Sequence, residues 1–281
     1  MNTQSLLNIW RNVARAHYFD EQLYAAIESD RVKCFAYLSS GQESIAASVA
    51  EACSGIKPAI FCQHRNHAAY ISFGGDVEKL RDELLGFSTG CTGGVGGDPM
   101  IHDPSIKFFG HSGLVADQVP IAVGYAIASG SPVVCFCGDG TVEEDVFMPA
   151  IAQAAYEGAP ILFIIEDNDL SVITRKAKRR RWDAPSVIRS YGVETHSLRD
   201  SPQAIVDCVN GWPSVQHPLA LQIYCERRYR HVGIGSDGPL KTDRFMKIRE
   251  RASEIDVMAT AVIEGNAIQE MADLWQEKQS R

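Results

Sequence analysis

Gly138-Asp139-Gly140 is followed, after an interval, by Asp167-Asn168. A carboxylate and a neutral amide oxygen are hard ligands suited to magnesium or calcium, ions that keep coordination positions open for phosphate oxygens. Gly138 and Gly140 let the backbone approach a diphosphate closely and donate N–H groups to it. These residue types therefore support a metal–diphosphate clamp. Gly-Asp-Gly alone is a common strand-end turn, and it gains specificity from the second half arriving at a matching strand end.

A clamp of this kind works only if both halves reach one edge of the fold. Residues 132–137 are a short apolar, β-branched run before Gly138, the pattern of a buried strand. Within 142–157, Val146, Phe147, Ala150, Ile151 and Ala154 are spaced as one helix face. Residues 160–165 are a second buried strand. Strand, helix and strand with parallel strands place Asp139 and Asn168 at the same carboxyl edge of the sheet, where open α/β sheets bind ligands.

The spacing elsewhere predicts an amphipathic helix over 6–29 and an Ala-rich helix opened by Ser40-Gly41-Gln42-Glu43 and running through Cys53. A short strand at 58–62 leads into His64, and Asp76 caps a helix over 76–86. The glycine-dense stretch 86–98 reads as a loop against a ligand or partner. A helix of small residues follows at 113–129, a basic loop with Lys176, Lys178, Arg179, Arg180 and Arg181 at 174–182, a strand at 219–225, and helix over the last forty residues. No repeat, low-complexity segment or linker interrupts residues 1–281, so one domain is expected.

The 281 residues are 45% hydrophobic and 22% charged, a soluble globular composition with no apolar run long enough to span a membrane. The first residues lack a basic stretch followed by an apolar core, so no secretory leader is expected and the location expected is cytoplasmic. The net charge of −8 argues against a nucleic-acid-binding surface. The eight cysteines form no CxxC pair, and Cys135 and Cys137 fall inside a predicted core strand, so buried reduced thiols are expected rather than disulfides or zinc.

Gly138-Asp139-Gly140 through Asp167-Asn168 resembles the thiamine diphosphate motif, in which GDG is followed by NN about thirty residues later. Asp139 and Asn168 match the family's metal ligands, and Leu170 matches the position adding a backbone carbonyl. Gly138, Gly140 and Thr141 fall in its diphosphate-binding stretch, while Asp167 replaces the first Asn. Further motifs arrive in family order over roughly 30–240. Gly41-Gln42-Glu43-Ser44 is similar to GQEA, and His64-Arg65-Asn66-His67-Ala68 to YRDHG with His64 in place of Tyr. Residues 96–102 resemble GGSMH with an insertion, and 112–120 are similar to GIVGAQVP. The likeness is nearest to the alpha subunit of the decarboxylating component of 2-oxoacid dehydrogenases, the pyruvate, branched-chain and acetoin enzymes.

The resemblance implies an α/β thiamine diphosphate-binding fold, a mostly parallel sheet with helices on both faces, holding thiamine diphosphate with Mg2+ or Ca2+. It implies cofactor contacts at His64, Arg65, Gly113, Val115 and an Arg near 227, and proton handling by His67 and His231. Residues 227–233 permit two registers. One places Arg227 and His231 at the site; the other uses Arg230 and leaves Ile234 where an imidazole belongs. The first keeps the imidazole and is preferred. Glu143-Glu144-Asp145, where the dehydrogenases usually have Gly at the third place, reads as a favourable helix start and also resembles a biosynthetic branch of the family.

In that family the glutamate that activates the aminopyrimidine lies on a second, pyrimidine-binding domain. A beta-type partner subunit carrying it is therefore expected, as an α2β2 heterotetramer. The expected reaction is decarboxylation or cleavage of a 2-oxo acid with transfer of the acyl unit, the basic loop serving a substrate carboxylate, a phosphate or a lipoyl carrier. The alternatives are the N-terminal subunit of a split transketolase acting on sugar phosphates and a non-catalytic cofactor-binding scaffold.

Overall fold

The computed structural model describes residues 1–215 and 217–276. The first helix, α1 (Thr3–Glu28), starts where the Asn2 side chain accepts from Ser5 N at 2.8 Å, and it buries Ile9, Val13, Ala16, Phe19 and Leu23 along one stripe. It is followed by α2 (Glu43–Ala52), β1 (Ala59–Phe61), α3 (His67–Ser72) and α4 (Val77–Leu84), the last capped by Asp76 as expected. Two-residue strands β2 (His102–Asp103) and β3 (Phe108–Phe109) precede α5 (Gln118–Ser129). The clamp unit is β4 (Val133–Gly138), α6 (Phe147–Glu157) and β5 (Ile161–Asp167). A small hairpin of β6 (Leu170–Ser171) and β7 (Thr174–Arg175) leads to α7 (Lys176–Arg179) and α8 (Ala184–Ser190). The chain closes with β8 (Glu194–Arg199), α9 (Pro202–Val209), α10 (Trp212–Val215), β9 (Leu219–Tyr224), α11 (Arg244–Ile255) and α12 (Val257–Gln276).

Seven strands form one sheet in the order β2-β3-β1-β4-β5-β9-β8, parallel throughout except for the β2–β3 pair. The central strands β4 and β5 are apolar from Val133 to Cys137 and from Ile161 to Ile165 because both faces are covered. Val134 and Phe136 of β4 and Leu162 and Ile164 of β5 join the core beneath α1 to α4. Val133, Cys135, Phe163 and Ile165 join a second core beneath α5, α6 and α8. The fold is thus the α/β arrangement expected. Gly138 pairs with Glu166 across β4 and β5, so Asp139 and Asn168 leave the sheet side by side at its carboxyl edge.

Two helices start later than their apolar spacing predicts. Gly113 (φ +99) and Ala116 (φ +73) lie outside the right-handed helical region, so 113–117 is a turn and α5 begins at Gln118. Residues 141–143 make a short 3-10 turn and Glu144 is extended, which delays α6 to Phe147. β8 carries no apolar run, because it is an edge strand with most of its residues solvated. The glycine-dense loop wraps a carboxylate of this chain. Glu83 accepts from Thr92 N, Gly94 N, Gly96 N and Gly97 N at 2.7, 2.9, 2.9 and 3.0 Å. Burial pushes the Glu83 carboxyl up, but these donors outweigh it and hold the group below its ordinary range.

Candidate active site

A cavity of about 160 Å³ opens at the carboxyl edge of β4 and β5. Its floor is the clamp: Gly138, Asp139, Gly140 and Thr141 from the end of β4, and Asn168, Leu170, Ser171 and Val172 from the turn after β5. Gln63, His64 and Arg65 enter from the end of β1, Gly113, Val115 and Ala116 from the turn before α5, and Arg227 and His231 from the segment after β9. The sequence-predicted residues converge here from five segments, with His67 the exception.

Asp139 is buried, and its carboxylate pairs with Arg179 while its carbonyl accepts from Arg180 Nη1 at 2.7 Å. Burial pushes the Asp139 carboxyl up and Arg179 holds it partly back. Asn168 Nδ2 donates to Gln42 Oε1 at 2.8 Å, which leaves Oδ1 as the acceptor; it takes Leu170 N at 3.1 Å and retains a second lone pair. The substituted Asp167 does not line the cavity. Its carboxylate takes Gln222 Nε2 at 2.8 Å, Asp169 N at 3.1 Å and the Lys176 ammonium, and so anchors the turn that presents Asn168.

Steric room confirms where the chain is thin. A Cβ on Gly138 would stand 2.9 Å from Gln63 Oε1, and one on Gly140 2.9 Å from Ser171 Oγ. The Gly138 N–H, however, is not open to a diphosphate: it donates to Thr141 Oγ1 at 3.1 Å. Thr141 thereby shapes the turn, and Gly138 serves by its lack of a side chain.

Arg65 is buried and donates to Leu38 O at 2.7 Å and to His231 O at 3.1 Å, both neutral carbonyls. Burial and the neighbouring Arg227 pull its guanidinium down to about 10. Arg227 donates to Asp237 at 2.6 Å and to Val172 O at 2.7 Å. A buried cation that repels a second cation and hydrogen-bonds only carbonyls keeps charge with which an anion could pair. Val172 holds φ +54, an uncommon state for a β-branched residue, at the position that receives Arg227.

The segment carrying Arg227 is locked in place by Gly41 (φ +95): a Cβ there would meet Glu226 O at 2.4 Å and Arg228 N at 2.9 Å. Of the two registers open in the sequence, this backbone brings Arg227 and His231 to the cavity. Arg230 turns toward Ser236 O, and Ile234 is exposed and off the cavity wall.

The upper wall is made of polar rings. Tyr37 lies 4.7 Å from His64 and 5.1 Å from His231, His64 lies 5.1 Å from His231, and His111 stands perpendicular to His64 at 6.0 Å. Burial and then Arg65 push His64 well below its ordinary range and His231 down to about 4; burial also lowers His111. All three imidazoles are therefore neutral near pH 7. Tyr37, Gln63 and His111 were not picked out in the sequence. Tyr37 and His111 adjoin recognised motifs, and Gln63 precedes His64, but only adjacency marked them.

His67 differs from its expected role. It is fully buried outside the cavity lining, with Nδ1 2.8 Å from Asp20 Oδ1 and Nε2 3.1 Å from Asp98 Oδ1. Burial opposes its charge, yet Asp98 and Asp20 prevail and push the imidazolium up to about 10. The basic loop is tied down by two of its arginines. Arg179 and Arg180 both pair with Glu143, so Glu143 fastens the loop rather than starting a helix.

Comparison with known proteins gives concordant matches. The model of the family described as dehydrogenase E1 component matches residues 11–199. The chain is 27% identical over 275 residues to the pyruvate dehydrogenase E1 component subunit alpha of Rickettsia bellii, covering 93% of this chain and 83% of that protein. It is 33% identical over 249 residues to the protein of the same name from Rickettsia typhi, covering 83% and 74%. Among solved structures, transketolase from Leishmania mexicana aligns with a TM-score of 0.60 at 15% identity. It covers 99% of this chain but only 46% of that one, a likeness of fold alone.

Proposed function

The chain belongs to the dehydrogenase E1 component family, and on that premise we propose that it is the alpha-type subunit of a thiamine diphosphate-dependent enzyme that decarboxylates a 2-oxo acid. One observation carries the assignment of the site. Buried Arg65, which has no carboxylate among its hydrogen-bond partners, and Arg227 converge with Asp139 and Asn168 on one cavity, where a Cβ on Gly138 or Gly140 would crowd Gln63 or Ser171. These residues fit thiamine diphosphate with a divalent cation. Arg65 and Arg227 would take the diphosphate, while the Asp139 carboxylate, Asn168 Oδ1 and the Leu170 backbone would hold Mg2+ or Ca2+. Gly113 and Val115 would seat the ring system. Bound thiamine diphosphate supplies a carbon nucleophile and an electron sink for loss of carbon dioxide from a 2-oxo acid.

The protein's own contribution is placement, charge and water exclusion. Arg65 supplies positive charge without an internal carboxylate to be displaced. Neutral His64 and His231 face the space beside the clamp and can accept or return a proton without first losing one to solvent. His67 stands behind this wall and acts on it through Asp98, which also accepts from Tyr37 N.

A beta-type subunit completes the enzyme, with α2β2 as the proposed assembly. Leu114, Val115 and Ile121 are exposed apolar residues beside the cavity, where a second chain would cover them. No helix among the described residues is long and apolar enough to cross a membrane. A cytoplasmic location and acyl transfer to a lipoyl carrier belong to the same proposal. The split-transketolase alternative is not favoured, because the likeness to transketolases is one of fold. Calorimetry on the chain co-purified with its partner tests the site: wild type should bind thiamine diphosphate only with Mg2+, and Asp139→Ala should not. Binding that ignores Mg2+ and Asp139 would leave the scaffold alternative standing.

A further inference from the structure

We infer that His111, which no motif marks, is a working residue of this cavity whose two ring nitrogens have separate tasks: Nδ1 positions the Gly113 turn, and Nε2–H donates to the carbonyl oxygen of the 2-oxo acid. The inference rests on the function proposed above and deepens it.

Geometry fixes the tautomer. Gly113 N donates to His111 Nδ1 at 2.8 Å. A backbone N–H only donates, so Nδ1 carries a lone pair and the neutral ring must carry its proton on Nε2. Protonation at Nδ1 would break this bond. Burial also disfavours the imidazolium, against the pull of Asp117 and Asp98.

The first task follows from where Gly113 lies. Its φ of +99 sets the turn that leads into α5, and Asp117 Oδ2 accepts from Ser112 N at 3.1 Å to close it. The bond to Nδ1 fixes the plane of the 112–113 peptide, next to the backbone proposed to seat the cofactor ring. His111 is a positioning residue in this respect.

The second task follows from what the other nitrogen lacks. Nε2 has no acceptor among the described residues, and the ring lines the cavity perpendicular to His64. Arg65 and Arg227 already serve carbonyls, Asp237 and the proposed diphosphate. A neutral Nε2–H is thus a donor available to a carbonyl oxygen, and its bond strengthens as that oxygen gains negative charge. A cation there would instead hold the substrate carboxylate, whose loss is the reaction.

Asparagine and glutamine separate the two tasks, because Asn Oδ1 replaces Nδ1 and Gln Nε2 replaces the outer donor. Each variant, co-purified with the partner subunit, is titrated with thiamine diphosphate and Mg2+, then assayed with pyruvate and 3-methyl-2-oxobutanoate using a dye acceptor. His111→Asn should bind the cofactor within about threefold of wild type while kcat at saturating cofactor falls about 100-fold. His111→Gln should lose about tenfold in cofactor affinity yet keep the higher kcat of the two. Equal loss of cofactor affinity in both, or unchanged kcat in His111→Asn, would overturn the assignment. Long-range 1H–15N correlation on the chain alone, with His111→Asn assigning the signal, should show the Nε2–H tautomer near neutral pH. An Nδ1–H tautomer or an imidazolium refutes the inference independently of activity. Failure of the wild-type complex to bind thiamine diphosphate would instead sink the cofactor reading beneath it.

Discussion

The Arg179 guanidinium is ion-paired with the Asp139 carboxylate, the group at the end of β4 proposed to hold a metal. A loop forty residues downstream has thus brought an internal cation to the oxygen that a divalent ion would take. Glu143 holds Arg179 and Arg180 there, so the loop stays docked at the cavity mouth.

Arg179 and a divalent cation compete for one carboxylate. Arg179→Ala should lower the Mg2+ concentration for half-maximal thiamine diphosphate binding by about tenfold, equivalent to about 1.4 kcal/mol. Tryptophan fluorescence at fixed cofactor reads this directly. A weaker Mg2+ dependence would mean that Arg179 binds the diphosphate instead.

Arg65 is placed for an anion at a cost to the chain that carries it. Arg65→Met should weaken thiamine diphosphate binding by roughly 30-fold or more, the loss of about 2 kcal/mol from a charge-assisted contact. The thermal midpoint without cofactor should move by no more than a few degrees, because a repelled, desolvated guanidinium is removed as well. Parallel losses in stability and affinity would count against an anion site.

His67 is expected to reveal itself in stability. Its folded pKa of about 10 exceeds the ordinary 6.5, so its contribution is fully present below about pH 6.5 and is lost as pH rises toward 10. His67→Gln should cost about 3 kcal/mol at pH 7, the range for breaking a buried pair. It should also flatten the decline of the melting temperature between pH 7 and 10. An unchanged alkaline slope would show that the imidazole between Asp20 and Asp98 is uncharged.

Gly41→Ala tests how Arg227 and His231 are held. Positive φ alone costs an alanine about 1–2 kcal/mol. The new Cβ also meets backbone at 2.4 Å, which cannot swing aside as a side chain would. We expect at least about 3 kcal/mol of lost stability together with weaker cofactor binding. Gly55→Ala, whose Cβ meets nothing within 4 Å, is the control. Equal effects of the two substitutions would remove the proposed lock.

The strands around the clamp, the helix between them and the convergence of Asp139 with Asn168 were legible in the sequence. Strands buried on both faces show unbroken apolar runs, helices show a 3.6-residue stripe, and a right-handed parallel crossover leaves a single carboxyl edge. Edge strand β8, mostly solvated, bears no periodic signal, and the 113–117 turn was hidden by spacing that reads as helix. Tertiary structure alone decided the wall and the wiring of the site. His67 was drawn behind the cavity by Asp20 and Asp98, Gly138 N–H was taken by Thr141, and Arg179 reached Asp139. Tyr37, His64, His111 and His231 meet there from four separate segments. Local periodicity records which face of an element is buried; it does not record which distant side chain a buried charge or an unpaired donor will find.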